Sequence, residues 1–253
     1  MALPRLIVSS GGPATLFPAL LAAIISPLRV GFAMRLARGG PSWILVPSVL
    51  ALLCVLTAWQ QDVIWLYFLA APLVVIALFF TWFFRDPERA PSAGLASPAD
   101  GHVSRLERIT DPDVGDAERI AIFMSPIDVH VNRFPLSGRV ERVTLIPGTH
   151  APAFDKDSDA NERVETVLMT EHGRVKVVQI AGTVARRIVP YIVKGQGAIK
   201  GERMGLIRFG SRCDVIMAVG TVAAWNVKVG DKVLAGTTSL ATLAQGTVAP
   251  GAR

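Results

Sequence analysis

Two contrasting patterns divide the chain. Trp43 to Trp59 (WILVPSVLALLCVLTAW) and Val63 to Phe84 (VIWLYFLAAPLVVIALFFTWFF) contain no charged residue. Each approaches the ~20 residues a helix needs to cross a hydrocarbon core. Only Gln60, Gln61 and Asp62 separate them, so the pattern predicts a tight helical hairpin over 42–84. Trp residues at the ends favour a membrane setting over a buried core pair, and Pro47 and Pro72 are tolerable inside membrane helices. From Asp100 onward, apolar and polar positions alternate in short runs punctuated by Gly, Pro and Asp. Strands are predicted at 102–109, 119–124, 138–146, 165–170, 174–180, 188–192, 199–201, 206–209, 213–219, 226–229 and 232–235. The expected fold is mainly β, a compact antiparallel domain of barrel or sandwich type behind an α-helical transmembrane hairpin.

Between and before these patterns the texture is different. Residues 1–41 are Gly-, Pro- and Ala-rich with scattered Arg, and the apolar run from Phe17 to Ile25 is too short to span. We read 1–41 as a basic interfacial segment and 85–99, rich in Pro, Ser and Ala, as a linker to a domain over 100–253. Val227 to Gly236 has the strand-turn-strand look of a lipoyl-type carrier barrel, without a lysine placed for modification.

Charge refines this picture. The chain has 253 residues, a net charge of +6 and 51% hydrophobic residues, with a mean hydropathy of +0.44. Arg5, Arg29, Arg35 and Arg38 precede the first helix and Arg85 and Arg89 follow the second, while the connecting loop has no basic residue. That asymmetry puts both ends of the hairpin in the cytoplasm. An anionic membrane surface fits this distribution better than nucleic acid, which is excluded as a partner. Two cysteines, Cys54 and Cys213, make no disulfide framework, and no Cys/His spacing points to a metal.

Three polar sites interrupt the β texture: Ser97-Pro98-Ala99-Asp100-Gly101, Ser125 to Pro135 (SPIDVHVNRFP), and Gly210-Ser211 within Ile207 to Asp214 (IRFGSRCD). Asp100, His130 and Ser211 supply an acid, a base and a hydroxyl, the parts that activate a serine. A serine preceded by glycine in a constrained turn can attack its own N-terminal carbonyl, since Gly210 adds no side chain and accepts strained φ values. The ordinary alternatives are a turn cap at Asp100, a strand histidine at His130 and a plain turn at Gly210. A hydrolase would use the same trio, but its G-x-S-x-G elbow is absent.

The chain resembles the phosphatidylserine decarboxylase proenzymes in their short form. The resemblance runs through Phe84 to Arg89 (FRDPER), Pro98 to Gly101, Ser125-Pro126 with Asp128 to Arg133, Asn161 to Arg163, Gln179 to Tyr191, Lys200 to Gly205 and Ile207 to Asp214. It implies self-cleavage between Gly210 and Ser211 into a large β chain (1–210) and a small α chain (211–253), held as a heterodimer and compatible with a higher oligomer. Ser211 would become a covalent pyruvoyl cofactor, with no metal. That group would form a Schiff base with phosphatidylserine and serve as electron sink while CO2 leaves, giving phosphatidylethanolamine. Asp100 would belong to the cleavage machinery and His130 to substrate positioning and decarboxylation. Arg133 stands where longer family members carry a second histidine. This departure leaves either His130 or an unaided Asp100 as base for cleavage, His130 being the expected one, and Arg133 as a candidate for holding the substrate's carboxylate or phosphate, weighed against an ion pair with Asp128 or Glu162. Lys200, Arg203, Arg208 and Arg212 are candidates for a basic rim near headgroups. His102, His150 and His172 receive no role. The implied location is the cell (inner) membrane, catalytic domain on the cytoplasmic side, among membrane lipids. The rival readings are a non-enzymatic membrane-tethered barrel scaffold and a decarboxylase of ether-lipid serine headgroups.

Overall fold

The computed structural model describes residues 35–149, 151, 156–183 and 187–244. Most of the predicted interfacial segment, His150 and positions 184–186 of the motif from Gln179 to Tyr191 lie outside the described residues. Helices α1 (Pro41–Gln61) and α2 (Trp65–Phe83) form the hairpin. Pro41 starts α1, where a missing N–H costs nothing. Asp62 ends it in the left-handed region (φ 55°), its N–H returning to the Ala58 carbonyl. The break therefore falls at 62–64, slightly later than the polar residues alone predict.

Apart from Pro47 and, at the end of α2, Phe83, the buried residues along the two helices are the small Ala51, Ala58, Ala70 and Ala77. These alanines let the two backbones approach closely, as membrane helices do. Large apolar side chains point outward instead: Trp59 is 76% exposed, Phe68 66% and Leu78 64%. Both helices are long and apolar enough to cross a membrane, and an outward apolar surface of this kind is at home in lipid rather than water. Ser48 and Thr81 return their hydroxyls to the carbonyls of Ile44 and Ala77.

The β texture is realised as β1 (Arg35–Leu36), β2 (Arg85–Asp86), β3 (Leu95–Ala96), β4 (Gly101–Asp111), β5 (Gly115–Met124), β6 (Val131–Arg133), β7 (Gly138–Ile146) and β8 (Arg163–Thr170). It continues as β9 (Gly173–Ile180), β10 (Ile188–Pro190), β11 (Gly197–Ala198), β12 (Arg203–Ile207), β13 (Ser211–Ala218), β14 (Val222–Trp225), β15 (Lys232–Val233) and β16 (Ser239–Leu243). One eight-stranded sheet, ordered β11-β7-β8-β9-β13-β5-β4-β15, curls into a half-barrel. Smaller sheets, β10-β12-β6 and β14-β16-β3, complete the domain, and every strand pair is antiparallel. The core draws on Ile120, Ile122, Met124, Leu168, Val177, Met204 and Val215, among others. At 226–229 the chain makes a turn instead of the predicted strand. Asp231 Oδ2 accepts from Lys228 N at 3.0 Å and Gly230 takes φ 96°, while the strand lies earlier, at β14. Likewise 199–201 is a turn just after β11, and Phe209 belongs to a turn, not to β12.

The stretch expected as a linker, 85–99, is threaded into the domain. Leu95 is fully buried in the core, β3 pairs with β16, and Ser92 N donates to Gly236 O at 2.8 Å. Asp86 is buried and binds two arginines, Arg133 at 3.1 Å and Arg203 through its Nε. Removing a buried charge leaves its partner uncompensated, at a cost of about 3–5 kcal/mol. Asp86→Ala is therefore expected to lower the thermal midpoint of the detergent-solubilised protein by several degrees. Glu141→Gln, at an exposed ion pair with Arg174, should leave it nearly unchanged. Equal midpoints for the two variants would contradict the clamp.

Candidate active site

The polar motifs converge where the helical hairpin meets the domain. β5 ends at Met124, and the chain turns through Ser125 to Asp128. Ser125 N donates to Asp128 Oδ2 at 2.8 Å and Asp128 N to Ser125 O at 2.9 Å, a side-chain-closed turn of the kind Asp favours. This turn delivers His130 into the interior, fully buried. Its Nδ1 lies 2.9 Å from the Asp128 carbonyl oxygen. A carbonyl only accepts, so Nδ1 carries the proton and Nε2 holds the lone pair. Nε2 is buried and has no hydrogen-bond partner among the described residues. Burial pulls the His130 pKa down to about 4; the Asp128 carbonyl opposes this, Arg85 reinforces it, and Asp100 opposes it. The ring is a neutral base with a free acceptor nitrogen.

The second element is the turn between β12 and β13. Phe209 (φ 48°) and Gly210 (φ 54°) both occupy the left-handed region, which for a bulky residue such as Phe is an outlier. What holds it there is stacking: the Phe209 ring lies 4.2 Å from that of Phe83, at the end of α2. Phe83 in turn sits 4.4 Å from the His130 ring. A Cβ on Gly210 would meet nothing within 4 Å, so glycine is needed there for its φ. Gly182 is needed for space, because a Cβ on it would overlap the Gly210 carbonyl oxygen. Asn161, another motif residue, fixes this approach by donating to Ala181 O at 2.9 Å.

Ser211 opens β13 and is fully buried. It pairs across the ladder with Met124, and its hydroxyl lies 3.4 Å from Met124 Sδ, a weak acceptor that leaves the oxygen's own lone pairs unused. Asn132 Nδ2 approaches the same sulfur at 3.5 Å, and Gln179 Nε2 donates to Asn132 Oδ1 at 2.8 Å. Met124, Gln179 and Arg89 escaped sequence reasoning about the site. A lone Gln in the otherwise apolar end of β9 was the available signal for Gln179; Met124 offered none.

Asp100, His130 and Ser211 make no hydrogen bond to one another. Asp100 takes both oxygens to Arg89, with Oδ2 2.8 Å from Nη2, and Oδ1 also accepts from Ala235 N at 2.8 Å. Arg133 is buried and directs its guanidinium to Asp86, to Gly201 O (2.8 Å) and to Pro87 O (2.8 Å). It thus makes an ion pair, with a partner other than Asp128 or Glu162. Immediately after Ser211, Arg212 binds Asp214 at 2.9 Å, Ser158 at 2.6 Å and Asp159. That buried network pins the start of β13.

Residues 76–241 match the family model described as phosphatidylserine decarboxylase. The phosphatidylserine decarboxylase proenzyme of Thermobifida fusca (strain YX) is 48% identical over 207 residues, covering 81% of this chain and 92% of the relative. That of Streptomyces avermitilis is 45% identical over 208 residues, covering 82% and 93%. A protein named putative archaetidylserine decarboxylase proenzyme, from Methanococcoides burtonii, is 40% identical over 213 residues, covering 81% and 95%.

The buried neutral His130 has a consequence for stability. An unfolded histidine takes a proton near 6.5, the folded one only near about 4. Between these values the unfolded chain binds more protons, so lowering the pH through this window costs stability; above 6.5 the contribution is constant. His130→Phe should therefore lose less thermal stability than wild type between about pH 7 and pH 5. Equal losses would place the folded His130 pKa near its ordinary value.

Proposed function

The chain belongs to the phosphatidylserine decarboxylase family, and on that premise we propose that it converts phosphatidylserine to phosphatidylethanolamine with a pyruvoyl group made from Ser211. One local fact carries the reading: two consecutive left-handed residues, Phe209 and Gly210, lead straight into a buried serine. Ser211 Oγ attacks the Gly210 carbonyl carbon, and its proton passes to His130 Nε2. The amide nitrogen leaves and takes up a proton, so that an ester replaces the peptide bond. Removal of the Ser211 Cα proton then expels the Gly210 carboxylate. The resulting dehydroalanine hydrolyses with loss of ammonia to a ketone at the new N-terminus.

Asp100 touches neither Ser211 nor His130, but its charge favours protonated His130. We assign it a positioning role, through Arg89 and Ala235, together with stabilisation of the imidazolium that forms. Arg133, engaged on Asp86, is read as a fastener of the domain. When formed, the pyruvoyl group supplies an electron sink for the departing carboxylate. His130, on a stack that excludes water, keeps its neutral imidazole available to orient the substrate. The fragments 1–210 and 211–253 stay together because β13 is hydrogen-bonded between β5 and β9. The two apolar helices hold this site at the membrane, the domain on the cytoplasmic side, where a lipid headgroup is at high local concentration.

The name of the archaeal relative supports a second reading, an ether-lipid serine headgroup as substrate; its chemistry is the same. Intact mass tests the cleavage. Wild type should resolve into 1–210 and 211–253, the latter with a borohydride-reducible carbonyl at its N-terminus, and Ser211→Ala into one uncut chain. Gly182→Ala should slow splitting by on the order of 100-fold, since about 2–3 kcal/mol of misplacement in the attack geometry has that effect. A single uncut wild-type chain in membrane-like conditions would sink the proposal. Headgroup release from diacyl and ether substrates, assayed side by side, separates the two readings.

A further inference from the structure

Of the cations flanking the site, most are already engaged. Arg203 binds Asp86 and Glu88, Arg212 binds Asp214 and Asp159, and Lys200 donates to Gly94 O at 3.2 Å. Arg85 donates to Trp82 O and Ile127 O. Arg208 differs. It has no carboxylate within ion-pairing distance among the described residues, and its one side-chain hydrogen bond is a long one, Nη2 to Gly39 O at 3.4 Å. Its Nε is buried without an acceptor. A partly buried guanidinium with most of its five donors unused is a costly arrangement unless an anion completes it.

The surroundings sharpen this. Arg208 lies over the Trp43 ring at 5.4 Å, in the first turn of α1, at the level where the apolar span begins. Its backbone N–H donates to Arg187 O at 3.2 Å. Arg38 lies over Tyr191 at 5.5 Å, and the Tyr191 hydroxyl donates to Arg38 O at 3.1 Å. Neither Arg187 nor Arg38 has a carboxylate partner among the described residues, whereas neighbouring Arg35 is paired with Glu88. Burial and the like charge of Arg187 both lower the Arg208 pKa, opposed only by Tyr191. Along the chain, Arg208 stands three positions before Ser211.

We propose that Arg208, supported by Arg187 and Arg38, holds the phosphodiester of the lipid substrate and so aims the serine end of the headgroup at residue 211. This rests on the decarboxylase reading. In phosphatidylserine the phosphate is only a few bonds from the amino group. An arginine at the membrane level, three residues from the reacting position, can therefore hold the phosphate while the amine reaches the site. The contact is made in both substrate and product, so it supplies uniform binding and appears in KM, not in kcat.

The test uses split wild-type enzyme beside R208Q, R208K and R187Q in mixed micelles of uncharged detergent and phosphatidylserine, with tail-free glycerophosphoserine as soluble competitor. R208Q is expected to raise KM about tenfold, or about 1.4 kcal/mol, with kcat within about twofold. It should weaken inhibition by glycerophosphoserine by the same factor, R208K should recover part of both, and R187Q should raise KM about threefold. An unchanged KM in R208Q overturns the inference. So does a raised KM with unchanged glycerophosphoserine inhibition, which would make Arg208 a contact to the lipid surface at large. If R208Q fails to split, R187Q decides, and an unchanged KM there overturns the inference. A wild type that releases no CO2 from phosphatidylserine overturns the decarboxylase reading and this inference with it. Wild-type turnover with an unmoved R208Q overturns this inference alone.

Discussion

Everything at this site hangs on a few buried charges just past the end of α2. Asp86 meets Arg133 and Arg203, and Arg89 meets Asp100. Buried ions are tolerated only when paired in good geometry, so the segment 85–89 has essentially one place to lie. Fixing it seats Phe83 and Phe84 against Val129, Val131 and Leu206. Phe83 then stands between His130 and Phe209. The end of the apolar helix α2, the candidate base and the strained turn thus form one continuous stack.

Strain alone would not make the Gly210–Ser211 bond reactive. Phe209, the one non-glycine residue of the pair held left-handed, stores about 1–3 kcal/mol, small beside the barrier to breaking an amide, and Gly210 adopts its φ without penalty. Placement contributes more, because well-aligned intramolecular groups gain about 7–11 kcal/mol over freely diffusing ones. The surrounding rigidity serves that placement. Gly182 closes on the Gly210 carbonyl, Arg212 anchors the strand that follows, and β13 is hydrogen-bonded along both edges.

Much of this was legible in the residue pattern, and the failures have physical causes. The hairpin announced itself through its two long uncharged runs, and the long strands β4, β5, β7, β8 and β9 because alternation survives wherever one face is buried. Short strands at 95–96, 131–133 and 222–225 lacked enough residues to show a period. Residues 85–99 read as a linker because Pro, Ser and Ala mark loops by composition, whereas their role here comes from long-range partners such as Thr238 and Gly236. Gly210, Ser211, His130 and Asp100 were visible as types in motifs. Which groups they touch was not, since Arg89 reaches Asp100 and Met124 reaches Ser211 from other elements. Glycine was only half-read: both clearance and an unusual φ were expected of Gly210, which has the φ, while the tight clearance falls to Gly182.

The position of β13 has a consequence for the life history of the protein. A strand at the middle of an eight-stranded sheet is installed while the chain is still continuous, when its ladder partners β5 and β9 are tethered to it. Under the proposed cleavage that tether is gone in the mature form, and reassembly becomes a bimolecular event between the large fragment that carries the apolar hairpin and a short polypeptide. The mature enzyme would then endure by slow unfolding more than by a favourable folding equilibrium. Heat or denaturant would inactivate it for good, whereas the uncut serine variant would retain the means to recover.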